Sequence, residues 1–159
     1  MRILVLSDSH RNTKTVLNII NTHSDIKHIF FLGDICSDIE AAKEKFPDRI
    51  YHIVSGNCDF SSSYPKEAFA LVENYRIFFC HGHRHGVKYS LEQLKSYAIE
   101  NNCTLALFGH THRSLTAYDN GLYLVNPGSV SASREGAESY AIIDISSQGI
   151  MPRIMYVNK

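Results

Sequence analysis

The chain has 159 residues, and 16 Lys and Arg balance 16 Asp and Glu, so it carries no net charge with histidine neutral. That length suits one domain over residues 1–159 with one substantial core, and the charge balance excludes a general attraction to nucleic acid or to an anionic membrane. No run reaches membrane-spanning length, there is no signal-peptide pattern, and Cys36, Cys58, Cys80 and Cys103 lie far apart with no CxxC pair, so a cytoplasmic protein with reduced thiols is expected.

Residues 3–6 form a continuous apolar run, the pattern of a strand covered on both faces, and end in Ser7-Asp8-Ser9-His10. Alternation puts Asp8 and His10 on one side, where a carboxylate and an imidazole can share a cation; Asp8 could equally cap the next helix. That helix carries an apolar stripe of Val16, Leu17, Ile19 and Ile20, with Asn12 or Thr13 as its N-cap. A second strand at 29–32 leads to Gly33-Asp34. Ser37 with Glu40 reads as a capping box opening a short helix before Pro47, which leaves Asp34 without a capping duty. The third strand, 50–55, leads to Gly56-Asn57-Cys58-Asp59, so strand–Gly–Asp recurs as strand–Gly–Asn. Strands alternating with helices imply parallel crossovers, which gather functional groups outside the carboxyl ends of the strands.

Runs 70–72 and 76–79 flank Glu73-Asn74-Tyr75 and predict an antiparallel hairpin with Asn in the turn. Its second strand enters Cys80-His81-Gly82-His83-Arg84-His85-Gly86, where His83 and His85 read either as a solvated loop or as contacts to a ligand shell or substrate. Ser90 and Gln93 form another capping box, for a helix whose Leu91, Leu94 and Ala98 face a sheet. Residues 105–108 predict a short strand buried on both faces. Gly109 then allows a sharp turn that presents His110 and His112, either as metal ligands or as one strand cap and one solvated imidazole. Runs 115–118 and 122–125 form a hairpin about Asp119-Asn120-Gly121, and 140–145 and 154–157 are two further strands. Consecutive strands without helices suggest a second sheet packed on the first.

Taken in order, Asp8-Ser9-His10, Gly33-Asp34, Gly56-Asn57-Cys58-Asp59, His81 and Gly109-His110-Thr111-His112 resemble the five sequence blocks of the calcineurin-like metallophosphoesterases. The small bacterial and archaeal YfcE-type phosphodiesterase branch is the nearest pattern, and Asn126-Pro127-Gly128-Ser129 also fits it. The resemblance implies an α/β fold, a four-layer α-β-β-α sandwich of two mixed β-sheets. It implies two divalent metal ions, manganese first, with nickel, iron, zinc or cobalt as alternatives suited to the mixed donor set. Asp8, His10, Asp34 and His112 would surround one and Asp34, Asn57, His81 and His110 the other, with Asp34 bridging. The implied activity is hydrolysis of a small or nucleotide-like phosphate ester, foremost a phosphodiester, by a hydroxide held between the metals. Asp34, Asn57, Asp59 and His110 form the implied catalytic set.

Where the wider superfamily has a His expected to protonate the leaving oxygen, this chain has Cys58, which reads as a small residue without a chemical role. Asp59 would have oriented that His. The chain has no insertion long enough for a lid, and sequence does not choose which of Arg84, Arg113 and Arg134 neutralises a phosphate. The alternative is a non-catalytic protein-interaction scaffold, as in a eukaryotic retromer subunit of this fold. Asn57 and the otherwise complete ligand set favour the enzyme, and the neutral charge disfavours a nuclease. A homo-oligomer is left open.

Overall fold

The computed structural model describes residues 1–157. Strands β1 (Arg2–Leu6), β2 (His28–Phe31) and β3 (Ile50–Ile53) run parallel and alternate with helices α1 (Thr13–Thr22) and α2 (Ser37–Lys45). Then follow β4 (Glu67–Val72), β5 (Tyr75–Cys80), α3 (Glu92–Glu100), β6 (Leu105–Leu107), β7 (Ser114–Asp119) and β8 (Leu122–Pro127), with a 3₁₀ turn at His83–His85. The chain ends in β9 (Ser139–Ser146) and β10 (Gly149–Tyr156). Two sheets result, ordered β10-β9-β1-β2-β3 and β4-β5-β6-β8-β7. Each has a parallel centre and antiparallel strands at one or both edges, so both are mixed.

The period of two along each strand builds three apolar layers. Ile3, Val5, Phe30 and Leu32 face Ile77, Phe79, Leu105 and Leu107 between the sheets. On the other face of the first sheet, Leu4, Leu6 and Phe31 pack on Val16 and Ile20 of α1 and Ile39 of α2. Phe78, Ala106 and Phe108 pack on Leu94 and Ala98 of α3 outside the second sheet. The layers therefore run α-β-β-α, as the resemblance implies. Each fully buried large side chain is worth roughly 1.5–3 kcal/mol, so Leu107→Asp, at 0% exposure between the sheets, would break the stack where it matters. Among the described residues, no helix is long and apolar enough to cross a membrane.

Several local expectations change. Asn12 rather than Thr13 caps α1, accepting the Thr15 N–H at 3.2 Å. The capping box at Ser37 and Glu40 does not form: Ser37 is already helical, and the Cys36 side chain in the cap position makes no capping bond. Asp59 instead holds the turn just before the helix from another loop, its Oδ1 accepting the Ile35 and Cys36 N–H groups at 3.0 and 2.8 Å. Helix α3 starts one residue later than its box predicts, although Ser90 Oγ still accepts the Glu92 N–H. In the β4–β5 turn the positive φ falls on Glu73 (54°), not on Asn74, whereas Asn120 (49°) and Gly121 (87°) take up the expected β7–β8 turn. Strand β4 begins at Glu67 rather than 70, and β10 at Gly149 rather than 154 with Pro152 inside it. Pro152 is tolerated because β10 is an edge strand. Finally, β9 and β10 return to the first sheet instead of extending the second. Strand β9 is apolar on both faces, and lies beside the central β1.

Candidate metal centre

The loops leaving β1, β2, β3, β5 and β6 meet at one edge of the sandwich, and glycine sets how closely. Gly33 and Gly56 lie back to back: a Cβ on the first would overlap the Gly56 backbone, and one on the second would overlap the Asp34 carboxylate. A Cβ on Gly109 would strike the Ser7 hydroxyl and the Asp8 carboxylate. The glycines preceding Asp34, Asn57 and His110 are thus spacing devices.

Five of the candidate ligands are held in uncommon conformations. Asp8 (φ 55°), His10 (44°), Asp34 (61°), His110 (70°) and His112 (57°) all have positive φ, as does β-branched Ile35 at 78°. Such residues cost of order 1–3 kcal/mol each and persist only where their surroundings impose them. Here the constraint is visible. Ser129 Oγ donates to the Asp8 carbonyl and Ser131 Oγ to the Ser9 carbonyl, both at 2.7 Å. Buried Asp38 accepts from Ser9 Oγ at 2.6 Å and from the Arg11 N–H at 3.0 Å. Asp59 Oδ2 accepts the Asp34 and Gly56 N–H groups at 3.0 and 2.8 Å, in addition to the two taken by Oδ1. Asn126 Nδ2 donates to the Gly109 carbonyl at 2.9 Å.

The side chains so placed converge. Asp8, His10, Asp34 and His112 each offer a donor atom, and these atoms all lie within 4.8 Å of one another. His10 Nε2 is 3.1 Å from His112 Nε2. In a second couple, His81 Nε2 is 3.2 Å from His110 Nδ1 and 3.1 Å from Asn57 Oδ1. Asp34 stands between the couples, Oδ2 at 3.9 Å from His10 Nε2 and Oδ1 at 3.5 Å from His81 Nε2. All seven candidate ligands are therefore brought together, in two groups that share Asp34.

This donor set fits metal ions. His81 Nδ1 faces the Leu32 carbonyl and His112 Nδ1 the Ala132 carbonyl, both at 2.7 Å, so those nitrogens carry the protons and each Nε2 presents a lone pair to the cluster. Facing imidazole nitrogens repel unless one is protonated or a cation lies between them. Ligands about 2.1 Å from one cation sit roughly 3.0–3.4 Å apart, the spacing of both couples. Asp8 Oδ1 is buried without a hydrogen-bond partner, while Oδ2 accepts from Ser7 Oγ at 2.6 Å and the His110 N–H at 3.1 Å.

The electrostatics agree. Burial pushes the Asp8 carboxyl up, but His112, His81 and Ser7 outweigh it and hold it below the ordinary range. Its proximity to Asp8 at 3.1 Å raises His112 against burial, because without a cation His112 must protonate Nε2 to face that carboxylate. Burial, then the His81 charge, push His110 down to about 4, leaving it neutral near pH 7 and able to offer Nδ1.

Other candidates fall differently. Asp59 spends both oxygens on four backbone N–H groups, so its place is beneath Asp34 as a backbone anchor. Burial, then the Asp34 charge, push the Cys58 thiol up to about 11, so it is no thiolate nucleophile near neutrality. His83 and His85 are not solvated: His85 is buried and bonded to Glu67 at 2.9 Å, and half-buried His83 stands 5.5 Å from His81 between ring centroids. Arg113 and Arg134 line a cavity beside His112, which Arg84 does not. Sequence reasoning missed Asp38, read only as a helix residue, and the anchoring bonds of Asn126 and Ser129; their motif was visible but carried no role.

The family model for the calcineurin-like phosphoesterase superfamily domain matches residues 1–148. The chain is 30% identical over 155 residues to the probable metallophosphoesterase YsnB of Bacillus subtilis (strain 168), covering 96% of this chain and 89% of that one. It superposes on a conserved, predicted phosphoesterase from Streptococcus pneumoniae TIGR4 with a TM-score of 0.85 at 24% identity, covering 98% and 88% of the two chains. It also superposes on wild-type Vps29 of Entamoeba histolytica, solved with Zn²⁺, with a TM-score of 0.75 at 21% identity, covering 99% and 100%. At those identities the two structures speak for the fold alone.

Proposed function

Since the chain belongs to the calcineurin-like phosphoesterase superfamily, we propose that it is a phosphodiesterase working with two divalent cations on a small phosphate ester. The observation that carries this reading is Asp34 standing between two couples of facing imidazoles, one oxygen toward each. Asp8, His10, Asp34 and His112 are assigned to one cation, and Asp34, Asn57, His81 and His110 to the other, with manganese the first candidate. A shared carboxylate lowers the repulsion between two close cations and fixes their separation.

When bound, such cations polarise phosphoryl oxygens and acidify water for in-line attack on phosphorus. The chain's own residues supply the preorganisation. The Leu32 and Ala132 carbonyls fix the tautomers of His81 and His112, and Asp59 holds the loop that carries Asp34. The Cys58 N–H donates to Asp34 Oδ1 at 3.0 Å, orienting the carboxylate that both groups share. Nothing in the mechanism calls for a covalent enzyme intermediate. The free thiols of all four cysteines are compatible with the expected cytoplasmic setting.

The test is metal-free protein reloaded with single divalent ions, then assayed on matched chromogenic phosphodiesters and monoesters with metal content measured. The reading expects ion-dependent turnover, diesters ahead of monoesters and two metals per chain. The likeness to Vps29 favours a second reading, a non-catalytic interaction scaffold. Metal-loaded protein inert toward every ester would support it.

A further inference from the structure

Two cavities flank the metal centre, and their chemistry differs. The first, about 450 Å³, opens beside Thr111, the residue between His110 and His112. Lys88, Arg113 and Arg134 line it together with apolar Leu91 and Leu115. Arg134 is tied to the centre through its N–H, which donates to the His112 carbonyl at 3.0 Å. The second, about 520 Å³, opens beside Cys58 and shares no lining residue with the first. There Arg11 shares the wall with the acids Glu40 and Asp59, and Ser61, Ser62 and Ser63 line it with the aromatic rings of Phe60 and Tyr64.

Like Lys14, Lys45, Arg76 and Arg84, the cations of the first cavity have no carboxylate partner among the described residues; what sets them apart is that three of them line one wall. Arg2, Lys27, Lys43, Arg49, Lys95 and Arg153 all sit within 4.0 Å of a carboxylate. Among the described residues, no ion pair or hydrogen bond engages the charged groups of Lys88, Arg113 or Arg134, although the Thr111 hydroxyl bonds the Arg113 backbone. The acid on that wall, Glu135, has its Oε2 occupied by the Ser114 N–H and hydroxyl at 3.1 and 3.2 Å. In a protein of zero net charge, three cations against one engaged carboxylate make a local excess at one mouth of the centre. Guanidinium groups in particular match the oxygens of a phosphate. An apolar floor beneath them lowers the local dielectric and strengthens that attraction.

We propose that this cavity is a second, phosphate-binding subsite, so that the preferred substrate is a phosphodiester one of whose two alcohols carries a further phosphate. The inference rests on the phosphodiesterase reading and assigns the arms of the diester. The phosphorylated arm lies toward Arg113, Arg134 and Lys88, and the neutral arm toward Phe60 and the serine loop. Phe60, 93% exposed, offers that neutral arm a ring face.

The test uses metal-loaded full-length protein and three 4-nitrophenyl diesters whose second alcohol ends in phosphate (3-phosphopropyl), carboxylate (3-carboxypropyl) or hydroxyl (3-hydroxypropyl). The wild type should favour the phosphopropyl ester over the hydroxypropyl ester by about tenfold or more in kcat/KM, the effect expected of one well-formed charge pair. The Arg113→Gln/Arg134→Gln variant should lose most of that preference, with a far smaller change on the hydroxypropyl ester. A binding measurement independent of turnover runs alongside: calorimetry with propane-1,3-diol bisphosphate against propyl phosphate. The bisphosphate should bind about tenfold tighter to wild type, and the variant should erase the difference. Turnover without discrimination in either assay would overturn the subsite and leave the phosphodiesterase reading standing. Discrimination in binding with no turnover of any ester would keep the subsite and sink that reading. Equal preference for the carboxypropyl ester would overturn the assignment to phosphate, and absence of both turnover and discrimination would overturn both proposals.

Discussion

Asp59 lies directly beneath Asp34: its Oδ2 accepts the Asp34 N–H at 3.0 Å and the Gly56 N–H at 2.8 Å, so one carboxylate ties together the two loops that carry the shared donor and Asn57. Its other oxygen takes the next two N–H groups along, those of Ile35 and Cys36. A nest of four donors needs an acceptor with two full oxygens, which only an ionised carboxyl supplies. Burial pushes the Asp59 carboxyl up, and these backbone bonds more than reverse it. Asp59→Asn turns one acceptor into a donor facing N–H groups. It should cost on the order of 2–4 kcal/mol and weaken metal binding, although Asp59 touches none of the imidazoles. Chemical denaturation and metal titration check this; a variant with wild-type stability and affinity would show the nest to be dispensable.

Asp34→Asn tests the shared donor itself. The carboxylate lies between the two imidazole couples and carries the charge that would hold two cations close. The variant should lose most of its activity, about a hundredfold or more by analogy with the loss of a principal electrostatic contact. It should also bind fewer than two metals per chain. Wild-type turnover with full occupancy would remove Asp34 from the centre.

Much of this centre was legible in the sequence because glycine and ligand share one local pattern. Gly33-Asp34, Gly56-Asn57 and Gly109-His110 each follow an apolar strand, and that run fixes where the loop starts. What stayed hidden were the long-range tethers. Asp38 reaches Ser9 across 29 residues and Ser129 reaches Asp8 across 121, and a polar residue in a helix or loop gives no local sign of such a partner. The Ser37 capping box misled for the same reason: Asp59, from the loop after β3, holds the turn at Ile35 and Cys36, and the helix starts with Cys36 in the cap position. Likewise, strand β9 reads as apolar on both faces from sequence, but nothing in that pattern says which sheet it joins.

Metal and stability should be linked. Without a cation, the imidazole couples repel and the buried Asp8 Oδ1 has only the His112 ring, 3.1 Å away, to face, while the unfolded chain has no such site to fill. Chelation should therefore lower the melting temperature. Re-added metal should restore it in proportion to the logarithm of its concentration, about 2.7 kcal/mol at a hundredfold over Kd. Superimposable melting curves with and without chelator, with metal loss confirmed, would count against the site.

A pH dependence should arise away from the centre. His52 packs against Phe30 with ring centroids 4.3 Å apart and shares a hydrogen bond with His28 at 3.1 Å. Burial, then the His28 charge, push its pKa from 6.5 down to about 4. The folded pKa lies below the unfolded one, so between those values the unfolded chain binds the extra proton. The folded state therefore loses stability as pH falls from 6.5 toward about 4. Urea midpoints over that range should fall more gently in His52→Gln than in wild type. Parallel profiles would place the dependence elsewhere.

Cys58 offers the sharpest chemical test, because it stands where the wider superfamily has a histidine expected to protonate the leaving oxygen. Its thiol is pushed up to about 11 by burial and by Asp34, too weak an acid to help a poor leaving group much at neutral pH. Asp59, which would have oriented that histidine, is fully engaged by backbone donors, so an imidazole at position 58 would have to find its own geometry. Wild-type rates should therefore depend steeply on leaving-group pKa across a series of aryl phosphodiesters. Cys58→His should flatten that dependence and help esters of weakly acidic alcohols most, by roughly tenfold to a hundredfold if the ring reaches the leaving oxygen. The occupied Asp59 argues for the lower end of that range. Metal content must be measured in both proteins, since Cys58 also donates its N–H to Asp34. Parallel plots at equal metal content would show that residue 58 does not control proton donation. His83, half-buried with Nδ1 lacking a partner and its ring 6.1 Å from that of His110, would then be the next residue to replace.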